Sequence, residues 1–103
     1  MSIRYKGNLV KEPKLQELEE FRNILPEVRW ATQKEIIAIN AGTEVIVVFE
    51  IFKADVLILE VNEGEYIGLM LGNEWHEYPG GVKAGDLIRV LASNIFFVTT
   101  SFT

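Results

Sequence analysis

From Glu44 onward, apolar residues recur with a period of two, the signature of extended chain. Val45, Val47, Phe49 and Ile51 make one fully apolar side. Glu44, Ile46, Val48, Glu50 and Phe52 make a mixed one. Lys53 and Ala54 read as a turn. Residues 56–61 then carry Leu57, Leu59 and Val61 on one side and Val56, Ile58 and Glu60 on the other. The polar stretch 62–65 contains Gly64, available for positive φ, and predicts a hairpin turn into a return strand over 66–71. Gly72 and Asn73 break that strand. Residues 75–78 read as a short strand or an irregular link, and Pro79, Gly80 and Gly81 as a turn. Gly85 and Asp86 open a further strand. Residues 87–92 and 95–102 are expected to pair as a hairpin across Ser93 and Asn94.

The first 43 residues read as a lead-in. Residues 3–10 suit a short strand or arm, with Ile3, Tyr5 and Leu9 on one side. Residues 12–26 predict an amphipathic helix. Pro13 fits a first helical turn, Leu15, Leu18, Phe21, Ile24 and Leu25 form one stripe, and Pro26 ends it. Residues 28–32 alternate weakly. Residues 32–42 carry two signals: Thr32 and Glu35 have capping-box spacing, while Ile36, Ile37 and Ile39 favour a strand. The strand is the reading adopted. The expected fold is an α+β single domain over 1–103: a small, strongly curved antiparallel β-sheet or barrel over 44–103, with one amphipathic helix near the N-terminus. Several strands are apolar on both faces, so either the sheet curls on itself or a partner covers one face.

Composition narrows the function. At 103 residues the chain is one domain long, and 49% apolar residues fit a globular protein. With no cysteine, disulfides, thiolate catalysis and cysteine-based zinc sites are excluded. The N-terminus lacks the apolar core of a signal peptide, and no run approaches the roughly 20 apolar residues of a membrane helix. These features lead to the expectation of a soluble, cytoplasmic protein with no membrane partner. Net charge is -5 and unevenly spread. Arg4, Lys6, Lys11 and Lys14 crowd the start of the chain, whereas the middle is acidic. The basic edge is a possible local contact surface.

Catalytic chemistry finds no pattern. His76 alternates with Glu74 along an extended stretch, but two ligands do not close a zinc site. Ser2, Ser93 and Ser101 have no nucleophile-elbow context. The glycines of residues 80–86 lack the lysine-then-hydroxyl order of a phosphate loop and lead into a strand. Glu63 and Glu65 flank a turn glycine, where solvent is expected to surround them, without the burial a general acid needs. The expectation is a non-enzymatic binding module without metal or cofactor.

One resemblance adds to this reading. Leu71, Trp75, Gly85, Asp86, Ile88, Arg89 and Val90 lie in an order that resembles the third-to-fifth-strand region of OB-fold single-stranded-DNA-binding domains of the replication protein A type. The resemblance covers about a third of the chain. It implies single-stranded nucleic acid as ligand, with Tyr66, Trp75 and Met70 beside the bases and Lys53 and Arg89 on the phosphates. Acidic residues in the central hairpin run against that ligand, because phosphate contacts supply much of the affinity. The alternative is a protein-interaction or assembly subunit that forms a homo-oligomer through an apolar sheet face made by Ile46, Val48, Phe52, Val56 and Ile58.

Overall fold

The structure, a computed structural model, describes residues 3–17, 33–50, 52–72 and 77–100. Among them, in chain order, lie β1 (Ile3–Tyr5), β2 (Asn8–Lys11), α1 (Gln33–Ile37), β3 (Glu44–Phe49), β4 (Phe52–Asn62), β5 (Glu65–Met70), β6 (Glu77–Tyr78), β7 (Val82–Lys83), β8 (Leu87–Leu91), a 3₁₀ turn (Ala92–Asn94) and β9 (Ile95–Thr100). Strands hold over half of the described residues, and α1 is the one α-helix among them. The fold is therefore predominantly β, which corrects the α+β expectation. Residues 12–17, assigned to the helix by their periodicity, have no regular secondary structure. The rest of the expected helix, 18–26, and the weak strand 28–32 lie outside the described residues.

Seven strands form one sheet in the order β1-β2-β8-β5-β4-β3-β9, while β6 and β7 make a separate ribbon. All neighbours are antiparallel except β2 and β8, which run parallel. Cross-strand register sorts the side chains. Val45 faces Val56, Val56 faces Met70, and Tyr66 faces Val90. These join Val47, Phe49, Ala54, Ile58, Ile88 and Ile95 in a single buried core. Tyr78, from the β6–β7 ribbon, sets its ring 5.1 Å from that of Phe49 and covers one end of this core. The turn of that ribbon uses Gly80 and Gly81, both at positive φ, a backbone that other residues adopt only with strain.

Two turns differ from expectation. The β3–β4 hairpin reverses after Phe49, with Glu50 at φ 54, so Lys53 and Ala54 belong to β4. Strands β8 and β9 do not pair with each other. Instead β8 joins β5 and β2, and β9 joins β3. Three residues nevertheless link them. In a flat sheet, β8 and β9 would stand four strand spacings apart, about 19 Å. The link spans at most about 14 Å even when extended, and here it is a compact 3₁₀ turn. The sheet must therefore curl until β8 and β9 approach. It stays open because β2 occupies the edge of β8 that closure would require. The expected barrel is thus an open, curled sheet.

Residues 8–17 strap the open side. Val10 and Lys11 pair with Leu87 and Ile88 on β8. Leu15, 8% exposed, enters the core. The Gln16 N–H donates to the Val48 carbonyl at 2.9 Å, and Asn94 Nδ2 donates to the Gln16 carbonyl at 3.2 Å. Asn94 Oδ1 also accepts from the Leu91 N–H at 3.0 Å, so one buried amide holds both the 3₁₀ turn and the strap. Pro13 suits an extended strap as well as a helix start, so it did not distinguish the two.

Leu15→Ala should lower unfolding free energy by about 2–5 kcal/mol, as for other buried leucines. The exposed Ile37→Ala should change it by about 0.5 kcal/mol or less. Urea denaturation distinguishes the two. Gly68→Ala should also destabilise, by about 1–3 kcal/mol, because a Cβ there meets Val56 Cγ1 at 2.2 Å. Val56 is fully buried and β-branched, so it has no room to turn away.

Candidate interaction surface

The residues proposed for nucleic acid do not come together. Tyr66 and Met70 are 5% and 1% exposed and belong to the core, so neither offers a ring or thioether face to a base. Arg89 is held between two carboxylates: Nη2 donates to Glu65 and Nη1 to Glu12 Oε1 at 3.2 Å. The Glu65 hydrogen bond, and the charges of both acids, raise its pKa above the ordinary arginine value against the opposing effect of burial. Lys53 is exposed and lies over the Phe96 ring, 4.9 Å from its centroid. The register puts Arg89 opposite Ile67, level with Glu60. That is seven residues from Lys53 along β4, or roughly 23 Å. Trp75, like Glu74 and His76, lies outside the described residues.

The expected apolar interface is divided as well. Val56 and Ile58 are fully buried in the core. Ile46 and Val48 pair with Asp55 and Lys53 and so sit on the opposite face. Phe52 pairs with Phe49 at the hairpin end and is 42% exposed. The reversal after Phe49 explains the split: the sequence pattern continued the strand through Phe52, whereas the chain turns back before it.

Two surfaces lie at opposite ends of the sheet, one that the sequence pattern passed over and one that its charge had marked as a basic edge. The first is an open groove of about 470 Å³, lined among others by Ile37, Val61, Tyr66 and Ala92, with Glu63 at its edge. Helix α1 supplies one wall. Ile36 and Ile39, three residues apart on one face, are buried, and that spacing turns Ile37 outward, where it is 74% exposed. The exit from α1 is pinned by the Thr43 hydroxyl, which accepts from the Asn40 N–H, and by paired bonds between residues 42–43 and Ile58. The β4–β5 turn supplies the other wall. Gly64 takes φ 70 and its carbonyl accepts from the Ala92 N–H, leaving Val61 44% exposed. Tyr66 reaches the groove from the core, and burial alone raises its hydroxyl pKa above the usual tyrosine value.

The second surface is the β1–β2 hairpin at the other end. It turns at Lys6 and Gly7, both at positive φ, and exposes Arg4, Lys6 and Leu9. Its base is locked: Lys11 Nζ donates to Asp86 Oδ2 at 2.8 Å and to the Gly81 carbonyl at 3.0 Å. Burial alone would raise the Asp86 carboxyl. Hydrogen bonds from Lys11 and from the Lys83 N–H, together with both lysine charges, outweigh it and hold the pKa below the ordinary carboxylate value. The Gly-Asp pair that carried the family resemblance thus acts here as the anchor of a turn and of the N-terminal strand.

No family model, curated protein or solved structure matches the chain. The described residues contain no helix long and apolar enough to cross a membrane, and no cluster of His, Cys, Asp or Glu that would hold a metal ion. The groove was missed because Ile37 and Val61 look like any other β-pattern residues. The crowded cations at the chain start were the visible signal for the hairpin.

Because the folded pKa of Asp86 lies below its unfolded value of about 3.9, its contribution to stability is complete above that value. It is lost as pH falls through the folded pKa. Thermal midpoints should therefore decline below about pH 4, and Asp86→Asn should flatten that part of the profile while lowering the midpoint at neutral pH. A profile unchanged by the substitution would show that the lock contributes nothing.

Proposed function

We propose that the chain is a non-enzymatic protein-interaction module, an assembly subunit, whose docking surface is the groove between α1 and the β4–β5 turn. One observation carries this reading: Ile37 and Val61, two of the large apolar side chains most exposed among the described residues, stand on facing walls of one concave surface. Scattered apolar exposure is normal, but apolar residues converging on a groove with a polar group in it mark a binding site. Asn62 and Glu63, exposed at the β4–β5 turn, supply the polar groups.

Among the described residues, the shifted groups fit a binding role. Tyr66, Asp86 and Arg89 are shifted by burial or by ion pairing, and the shifts favour the ordinary protonation state of each at neutral pH. General acid–base work calls for the reverse, a group tuned toward neutrality. Single-stranded nucleic acid is the less favoured ligand, because Arg89 is paired with two acids through Nη1 and Nη2 and the stacking candidates Tyr66 and Met70 are buried.

Nile red, a neutral apolar dye, should bind the protein saturably. Ile37→Asp and Val61→Asp should each remove most of that fluorescence while far-UV circular dichroism stays unchanged. Equal dye binding by both variants would overturn the reading. So would salt-sensitive binding of a labelled single-stranded oligonucleotide that ignores both substitutions.

A further inference from the structure

The groove and the hairpin are complementary to each other. The hairpin projects two cations, Arg4 and Lys6, beside the exposed Leu9, and no acid lies between residues 3 and 11. The groove carries Glu63 at its edge, beside the exposed Ile37 and Val61; Glu65 on β5 is paired with Arg89, and Lys34 lies one turn before Ile37 on α1. The hairpin therefore offers apolar contact bordered by cations, and the β4–β5 side of the groove offers apolar contact bordered by the opposite charge of Glu63.

Their placement prevents one molecule from satisfying itself. Strand β2 runs parallel to β8, with Val10 opposite Leu87, so the hairpin turn extends beyond the start of β8. The groove begins past its end, at Ala92. From Gly7 to Ala92 is eight residues along the strand direction, roughly 26 Å, in a molecule whose longest dimension is 40 Å. The Lys11–Asp86 lock fixes the base of the hairpin and keeps it from folding back. A contact between opposite ends of identical molecules is heterologous, and it builds rings or filaments according to whether its rotation closes.

We propose that copies of this chain join head to tail, the β1–β2 hairpin of one molecule seated in the groove of the next. Leu9 packs between Ile37 and Val61, while Arg4 and Lys6 face Glu63. This rests on the groove being a docking surface and adds the identity of its occupant. A hairpin in a groove belongs to the small end of protein interfaces, so association is weak and salt-dependent. Opposed charges steer the encounter and fix the direction of joining.

Sedimentation velocity tests the proposal at protein concentrations up to ~1 mM, suited to an interface of this small class. Salt is set at about 0.01 M and about 1 M, where the screening length falls from ~30 Å to ~3 Å. The wild type should form oligomers at low salt that dissociate at high salt. Glu63→Lys, and the double variant Arg4→Glu with Lys6→Glu, should each weaken association about tenfold or more. An equimolar mixture of the two should restore it, because every contact between unlike molecules is then attractive and every contact between like molecules repulsive. A wild type that stays monomeric at low salt overturns the proposal, as does an oligomer that survives either reversal or a mixture that remains monomeric. If Nile red still reports the groove while the protein is monomeric, the docking surface stands and only the self-pairing falls. Absence of dye binding by the wild type at high salt, where no hairpin fills the groove, removes both.

Discussion

The structure depends on how an open curled sheet is sealed. Linking β8 to β9 by three residues forces the sheet to bend, yet β2 on the edge of β8 prevents the ladder from closing. The gap would expose core side chains and unpaired backbone groups, and a bent sheet in that condition would open to water. Residues 8–17 meet both needs together. Leu15 supplies apolar volume, Gln16 continues hydrogen bonding along β3, and Asn94 ties the strap to the turn beneath it. Removing any one leaves a buried polar group or a void, and unpaired groups in such a place cost more than the bond was worth.

Much of the sheet was legible because alternation is a local property. Strands β3, β4 and β5 and the turn at Gly64 follow from side-chain period and turn chemistry. The failures occur where local pattern admits two answers. Residues 12–17 have helical spacing, but Leu15 finds its buried partners across the gap in the sheet, and that long-range contact decides the conformation. At Phe49 to Phe52 apolar residues surround the single Glu50 and the alternation runs on unbroken, so periodicity could not mark the reversal. The error there exchanged the faces of Phe52 and its neighbours. Ile36, Ile37 and Ile39 looked like strand because β-branched residues favour it; three-residue spacing on a helix instead buries the outer two and exposes Ile37.

The candidate site was less legible than the fold for the same reason. Exposure of Ile37 and Val61 is a product of tertiary placement, and nothing in their neighbours' identities announces it. Charge was more informative, since cations near the chain start and acids near Glu63 are visible without coordinates. What the sequence could not supply was direction. Only the parallel pairing of β2 with β8 puts those opposite charges at opposite ends of one strand axis.

That parallel pair also sets an order of events at the ribosome. Val10 meets Leu87 across 77 positions, among the longest-range pairings in the molecule, and distant pairings are late and slow. The strap is made well before its partner strand and can dock only after β8 has emerged. Until then β3, β4 and β5 form a hairpin stack whose apolar flank is uncovered. The nascent molecule is therefore most at risk of clumping just before the strap reaches β8.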